Sequence, residues 1–280
     1  MKILTILVNW RQPRHTIMAI ESIANQICKS DICIVDNGSG DDSLKLLKEI
    51  DKSIFIIESK TNCGFGAGCN LAMNYALEHN YDFVWLLNND AIADTQALGS
   101  MLDIALSNDK IGAVGGCIYD SSLSNKPHAG SILNPITFTS SETFSALNMN
   151  NSNYSWITGA CLFLRITALR QVGLFDTGYF MYWEDADLCM RLKRAGWQFG
   201  VALNAKIQHE AGTSSHSMQL ERYEWHTSSC LRWIKKNYKN PHFGKLVWVI
   251  RNITKSVIDM NYKRLQMTLK LSFSKIKDQH

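Results

Sequence analysis

Three carboxylates crowd one short stretch of this chain: Glu184, Asp185 and Asp187, in the run Phe180-Met181-Tyr182-Trp183-Glu184-Asp185-Ala186-Asp187-Leu188. Leu188, Leu192 and Ala195 follow at helical spacing and Gly196 closes the pattern, so the acids stand at the start of a helix. Capping and the helix dipole explain one acid there. Three behind an aromatic pair exceed that need. A carboxylate in a partly apolar pocket suits a general base that takes a proton from a hydroxyl.

A second candidate is Asn88-Asn89-Asp90, at the end of the apolar run Phe83-Val84-Trp85-Leu86-Leu87. A divalent cation shared with a diphosphate needs only one or two protein carboxylates, because the phosphates bring oxygens of their own. Asp90 suits that task, and an asparagine beside it suits a ribose hydroxyl; an Asx turn leading into a helix uses the same residues. The segment Asn62-Cys63-Gly64-Phe65-Gly66-Ala67-Gly68-Cys69-Asn70 puts three glycines before a helical pattern. Glycines there let backbone N–H groups approach phosphates, although the order is not the dinucleotide fingerprint and a plain turn accounts for it too. His209 ends a strand-like run and becomes a metal ligand only if it lies near Asp90; otherwise it is a structural histidine.

These residues sit at the ends of regularly alternating elements. Apolar runs at Ile3–Val8, Ile32–Val35, Ile54–Ile57, Phe83–Leu87 and Ala113–Ile118 read as strands. Helical spacing fills the gaps: Ile17, Ile20, Ile23 and Ile27; Leu44, Leu47 and Ile50; Ala67–Leu77; Leu98–Leu106. The alternation predicts βαβ units and a mostly parallel sheet, with ligands beyond the carboxyl ends of its strands. Asn9, Asp36-Asn37-Gly38 and Asn88-Asn89-Asp90 all lie there. Residues 120–153, rich in Ser and Asn, read as a long excursion holding one strand pair, and order resumes at Trp156–Leu164. A helical pattern starts near Ser217, and one or two more helices follow to about residue 271.

Composition bounds the rest. The chain has 280 residues, 46% hydrophobic and 19% charged, enough for one large α/β domain with an appendage. The opening MKILTILVNW reads as a first strand rather than a signal segment, and no stretch has the ~18 apolar residues of a membrane span, so a cytoplasmic protein is expected. Its eight cysteines show no CxxC pair, which predicts reduced side chains and no structural zinc. The net charge of +4 hides an asymmetry. Residues 1–231 hold 17 Lys+Arg against 23 Asp+Glu, a balance of −6, while residues 232–280 hold 12 against 2, a balance of +10. An acidic body argues against a nucleic-acid partner.

In this order the motifs become familiar. Val8-Asn9-Trp10, Val35-Asp36-Asn37-Gly38-Ser39, Asn62-Cys63-Gly64-Phe65-Gly66, Leu87-Asn88-Asn89-Asp90, Thr158-Gly159-Ala160, Glu184-Asp185-Ala186-Asp187-Leu188 and His209 together resemble the inverting family 2 glycosyltransferases of the GT-A fold, in particular the bacterial rhamnosyltransferase-like branch. The resemblance covers residues 1–215 and implies a GT-A catalytic domain there, with a nucleotide-binding half at 1–118 and an acceptor half at 119–215. Residues 216–280 form a basic helical region outside it.

The resemblance assigns roles. Val8, Asn9 and Asp36 would hold the base of the nucleotide, and Asn62 with the loop from Gly64 through Gly68 to Asn70 would border it. Asn88 and Asn89 would reach donor and ribose, Asp90 and His209 would ligate Mn²⁺ or Mg²⁺, and Gly159 would admit the donor sugar. Asp185 would be the base, with Glu184 orienting sugar or acceptor. The family's acidic metal motif reads Asn88-Asn89-Asp90 here, one carboxylate short. The implied donor is a nucleotide-diphosphate sugar, foremost dTDP-rhamnose, with UDP-hexoses or UDP-galactofuranose behind it. The implied acceptor is a glycan or a polyprenyl-diphosphate-linked glycan of bacterial surface polysaccharide (O-antigen or capsule). A nucleotidyltransferase is disfavoured because Trp10-Arg11-Gln12-Pro13-Arg14, after the first strand, carries no glycine. Cations mixed with Trp233, Tyr238, Phe243, Trp248, Tyr262 and Phe273 predict that the C-terminal region docks on the anionic inner face of the cytoplasmic membrane, the alternative being a helical cap with solvated lysines.

Overall fold

The protein was analysed as a computed structural model that describes residues 1–50, 54–120, 127–134, 136–143, 155–209 and 219–273. Strands β1 (Ile3–Asn9), β2 (Asp31–Asn37) and β3 (Phe55–Ser59) alternate with helices α1 (Pro13–Ala24), α2 (Ser43–Lys48) and α3 (Phe65–Glu78). Then come β4 (Phe83–Leu87), β5 (Ala91–Ala93), α4 (Ala97–Ser107) and β6 (Ile111–Asp120). A short sheet of β7 (Gly130–Leu133), β8 (Ser140–Thr143) and β9 (Trp156–Ile157) precedes β10 (Cys161–Arg165), α5 (Ile166–Val172), α6 (Glu184–Arg194) and β11 (Gln198–His209). Helices α7 (Gln219–Asn237), α8 (Pro241–Ile258) and α9 (Tyr262–Phe273) complete the described chain.

The main sheet runs β3-β2-β1-β4-β10-β6-β11-β5. Pairings β1 with β2, β1 with β4, β2 with β3 and β6 with β11 are parallel. Strand β10 is antiparallel to both neighbours, as is β5 to β11. The chain winds outward from β1 to β3 and then returns to β4 on the other side of β1, so the switch in strand order falls between β1 and β4. That crevice is where open α/β sheets bind ligands.

Apolar side chains cover both faces of the sheet, as its near-continuous hydrophobic strands require. One layer packs Cys69, Ala72, Met73 and Ala76 of α3 with Leu188, Cys189 and Leu192 of α6; the other packs Ala19, Ile20 and Ile23 of α1 with Leu98, Met101 and Ala105 of α4. A third cluster joins Tyr179, Trp183 and Ala186 to Cys230, Leu231, Trp233, Ile234 and Trp248. Helix α7 is thereby packed on the start of α6.

Two expectations shift in detail, and a third lies largely outside the described residues. Helix α1 stops at Ala24, three residues before Ile27, which is exposed and contributes nothing to the core. The glycine segment is not one loop: α3 starts at Phe65, so Gly66, Gly68 and Asn70 are helical. Of the expected excursion, residues 121–126, 135 and 144–154 lie outside the described residues.

Candidate active site

The carboxyl ends of β1, β2 and β4 are tied by one hydrogen-bonded chain. Asn89 Nδ2 donates to Thr16 Oγ1 at 3.1 Å, and Thr16 Oγ1 donates to Asn9 Oδ1 at 2.8 Å. Asn9 Nδ2 donates to Asp36 Oδ1 at 2.9 Å, and the Ser39 hydroxyl donates to the same oxygen at 2.5 Å. Asn9 differs from its expected role: it is 0% exposed with its amide spent inside the network, so it braces Asp36 and offers a ligand nothing directly. Ser39 closes the Val35–Ser39 motif, while Thr16 joins the network although nothing in the sequence singles it out.

Asn37 plays the same part toward the glycine segment. Its Nδ2 donates to Asn62 Oδ1 and to Gly64 O, both at 3.1 Å, and its Oδ1 accepts from the Cys63 N–H at 3.2 Å. Gly64 has φ +89°, and a Cβ there would strike the Phe180 carbonyl, so glycine is required by the crossing of two backbones. Gly68 lies under Val8 and Asn37, where a Cβ would sit 3.1 and 3.3 Å from their side chains. Asn70 is a brace: its Nδ2 donates to Phe175 O at 2.8 Å and its Oδ1 accepts from Phe175 N at 3.0 Å. The expected nucleotide border therefore narrows to Asn62 and Gly64, with Gly68 and Asn70 turned to packing.

At the other side of β4, Asp90 Oδ1 and His209 Nε2 converge to 3.1 Å. Asn88 Nδ2 lies 3.1 Å from the same Nε2, and His209 Nδ1 lies 3.7 Å from Asp120 Oδ2. Asp120 was not anticipated. Strand β6 ends on it, and the parallel register of β6 and β11 sets it opposite His209. If Nε2 accepts from Asn88, two electron-rich atoms face each other at Asp90, and the buried Oδ1 has no hydrogen-bond donor. A proton or a cation must stand between them. Burial lowers the His209 pKa, but hydrogen bonding and charge from Asp90, with Asp120 behind, outweigh it and raise the value. Among the described residues no third His, Cys, Asp or Glu joins this pair.

The acids at the start of α6 divide. Asp187 is fully buried and held by Arg191 Nε at 2.9 Å, Lys236 Nζ at 2.9 Å and Asn237 Nδ2 at 3.3 Å, so it locks α6 to α7. Asp185 Oδ2 accepts from Gly159 N at 2.9 Å, and its Oδ1 accepts from its neighbour Ala186 N at 2.7 Å. Glu184 is buried against Gly66, with Oε2 lacking a partner. Burial and the charge of Asp185 push the Glu184 pKa up to about 8, and burial raises Asp185 as well. Asp185 receives backbone N–H groups from Gly159, Ala186 and its own residue, Glu184 only its own, so the shared proton belongs on Glu184 and the charge on Asp185.

These halves meet. Asp185 is bonded to Gly159, and the next residue, Ala160, accepts through its carbonyl from Asn88 N at 2.9 Å. The base candidate and the Asp90–His209 pair thus share one short stretch of backbone. Tyr182 and Trp183, just before α6, both adopt left-handed φ, 70° and 68°. Such backbone costs about 1–2 kcal/mol per residue and persists where its surroundings fix it. Here the Ser229 hydroxyl donates to Met181 O at 2.9 Å, and Trp183 Nε1 donates to His226 Nε2 at 3.3 Å.

Residues 17–173 match the family model described as Glycosyl transferase family 2, more than half of the chain. The chain belongs to this glycosyltransferase family. Among its relatives, an N-acetylglucosaminyl-diphospho-decaprenol L-rhamnosyltransferase of Mycobacterium tuberculosis is 25% identical over 243 residues, 79% of each chain. Rhamnosyltransferase WbbL of Escherichia coli K12 is 32% identical over 93 residues, 32% of this chain and 35% of the other. Galactofuranosyltransferase GlfT1 of Mycolicibacterium smegmatis is 24% identical over 216 residues, 74% of this chain and 70% of its own. The sequence places the glycosyltransferase in the rhamnosyltransferase-like branch.

Solved structures agree on the fold. GalNAc-T7, crystallised with UDP, GalNAc and Mn²⁺, superposes with a TM-score of 0.69 at 8% identity, over 95% of this chain. This chain spans about half of that structure, 54%. A mannosyltransferase from Pyrobaculum calidifontis, in complex with GDP-Man and Mn²⁺, gives 0.61 at 14% identity, covering 96% of this chain and 73% of its own. The glycosyltransferase has the GT-A fold, with helices added at its C-terminal end.

Proposed function

We propose that this glycosyltransferase moves a sugar, foremost rhamnose from dTDP-rhamnose, with inversion onto a hydroxyl of a glycan or polyprenyl-diphosphate-linked glycan in bacterial surface polysaccharide synthesis. The observation that carries the reading is the juxtaposition of Asp185 with the Asp90–His209 pair through Gly159, Ala160 and Asn88. A base and a site for a leaving diphosphate then lie on opposite sides of one sugar.

The donor lies across the β1–β4 crevice in this reading. Asp36, aimed by Asn9 and Ser39, accepts from a pyrimidine N3–H beside Val8, while Asn89 takes the ribose. Asp90 and His209 fit Mn²⁺ or Mg²⁺: their facing donor atoms call for a positive charge, and Asp120 behind Nδ1 orients the imidazole. A divalent ion bound there neutralises the charge that develops on the departing diphosphate. Asp185 removes the acceptor proton as that oxygen attacks the anomeric carbon opposite the leaving group, and one displacement inverts the centre. Glu184, protonated, donates a hydrogen bond to donor sugar or acceptor. Residues 1–215 carry this chemistry.

Residues 216–280 serve the acceptor side and the membrane in the same proposal. The exposed positions Phe243, Leu246, Ile250 and Val257 share one face of α8, and the same helix carries Lys245 and Lys255 away from that face. An exposed apolar stripe on a helix of net positive charge suits the anionic inner leaflet of the cytoplasmic membrane. Among the described residues no helix is long and apolar enough to cross a bilayer. The donor is tested by thermal shift with Mn²⁺ or Mg²⁺: dTDP-rhamnose should raise the Tm more than UDP-galactofuranose or UDP-hexoses. A larger shift with UDP-galactofuranose would favour the activity of the GlfT1-type relatives.

A further inference from the structure

Beside the candidate base, three elements contribute basic side chains that the reaction as drawn does not use. Arg222 and His226 stand one turn apart on α7, Arg251 is on α8 and Arg264 is in the first turn of α9. Arg222 hydrogen-bonds the Tyr182 hydroxyl, and the His226 ring lies 5.7 Å from the Tyr182 ring and 5.9 Å from Trp183. Arg251 and Arg264 both lie close enough to His226 for their charges to act on it. His226 is exposed at the surface of α7.

The hydrogen bonding of this group is unfinished. An indole only donates, so the bond from Trp183 Nε1 makes His226 Nε2 the acceptor and leaves the proton on Nδ1. That N–H has no partner among the described residues. Arg251 makes no hydrogen bond or ion pair among them, and Arg264 Nε is buried without a partner. The rest of the Arg264 guanidinium is held in place, one nitrogen 3.5 Å from Asp259 Oδ2, another donating to Asn252 Oδ1 at 3.4 Å, and its plane over the Tyr223 ring. Cations gathered around an exposed histidine, with the His226 Nδ1–H, Arg251 and Arg264 Nε left to donate, call for an anion with several oxygens.

We propose that Arg222, His226, Arg251 and Arg264 bind the diphosphate of a prenyl-diphosphate-linked sugar acceptor, placing that sugar's hydroxyl at Asp185. The inference rests on the acceptor class proposed above and adds where its charged group is held. Trp183 ties the two together: its indole is bonded to His226, and its backbone leads directly into Glu184 and Asp185. The donor's diphosphate belongs to the other side, at Asp90 and His209. One enzyme would then hold two diphosphates at separate places, one leaving and one retained.

The test is calorimetric binding of a short prenyl-diphosphate-linked N-acetylglucosamine, and of octyl N-acetylglucosaminide without the diphosphate, to the full chain. Wild type should prefer the diphosphate form by at least about tenfold, which corresponds to ~1.4 kcal/mol. Arg251→Gln, the variant that breaks no bond in the fold, should erase most of that preference, and Arg251→Gln with Arg264→Gln should erase it fully. Binding of dTDP and UDP should stay unchanged, as should co-sedimentation with phosphatidylglycerol vesicles. No preference in wild type, or a preference surviving the double variant with native circular dichroism, overturns the proposal. So does weaker nucleotide binding, which would assign the cluster to the donor, or vesicle release alone, which would assign it to lipid headgroups. Failure of the function itself reads differently: no sugar nucleotide would bind or turn over in wild type, whatever the acceptor.

Discussion

The proposed donor edge and the proposed acceptor edge of this glycosyltransferase are built in opposite ways. Along the base-binding stretch of the donor edge, apart from the Asp90–His209 pair, Asn89, Thr16, Asn9, Asp36 and Ser39 satisfy one another, and the backbone there is ordinary except at glycines and Arg11. Along the acceptor edge two adjacent residues take left-handed backbone, Glu184 and Asp185 share a buried site, and polar atoms stand unpartnered. A completed network presents a fixed surface to a nucleotide. An incomplete, charged one holds free energy in reserve for groups that arrive with the acceptor and the transition state.

The sharpest break of this contrast is Asp185→Asn. The amide keeps the shape but cannot take a proton, so kcat should fall at least ~10²-fold. Nucleotide binding should hardly change, because Asp185 touches none of the donor network. Steady-state kinetics with a dTDP titration separates the two, and a variant retaining more than about a tenth of wild-type kcat would move the base elsewhere.

The donor edge breaks next, through its cation pair. Asp90→Ala and His209→Ala should each weaken binding of the nucleotide diphosphate, and EDTA should stop turnover until Mn²⁺ or Mg²⁺ is restored. Asp120→Asn keeps both ligands but loosens the imidazole, so metal affinity should drop about 10–100-fold while excess metal rescues kcat. Turnover that persists in EDTA would reduce the pair to a structural contact.

How far these sites were legible follows from the same contrast. Asn88-Asn89-Asp90 and His209 stand out because each ends a strand, and strand ends are where an α/β sheet binds ligands. Asp120 ends one as well, yet only the pairing of β6 with β11 reveals that it faces His209. Asp187 looked equivalent to its neighbours, but its place on α6 turns it toward α7 and into Arg191 and Lys236. The glycines misled for a different reason: Gly66 and Gly68 are small because Glu184 and Val8 press on α3, which is packing rather than phosphate binding. The cluster around His226 draws on three helices at no fixed spacing, so no local pattern announces it.

A gentler change sharpens the acceptor edge. Glu184 should be neutral below its raised pKa of about 8 and ionise above it, placing a second negative charge beside Asp185. The rate should therefore decline as pH rises through about 8. Glu184→Gln imitates the neutral form, so it should keep activity within about threefold near pH 7 and lose that alkaline decline. The acid limb, where Asp185 takes up a proton above the ordinary aspartate range because it is buried, should stay in place. A basic limb that survives unchanged in Glu184→Gln would have another origin.

The smallest effect on chemistry should come from the face farthest from it. The structure divides the C-terminal aromatic residues: Trp233 and Trp248 are core, Tyr238 meets Phe138 edge to face, and Phe243, Tyr262 and Phe273 are exposed. The cationic excess divides too, since Arg232 and Lys236 are consumed by Asp176 and Asp187 and hold the Asp176 carboxyl down at about 2. The cap and the proposed docking surface are therefore two faces of the same helices. Removing α8 would strip Trp248 from the core, so a truncation cannot separate them. Point charges on the outer stripe can. Leu246→Asp with Ile250→Asp should cut co-sedimentation with anionic vesicles severalfold at low salt, since each basic residue near such a surface contributes only about 1 kcal/mol and the apolar insertion must supply the rest. Turnover of a soluble acceptor should stay within about twofold, because the pair touches neither edge of the site. Vesicle binding that ignores both substitutions, or that persists at high salt as strongly as at low, would leave α8 as a cap alone.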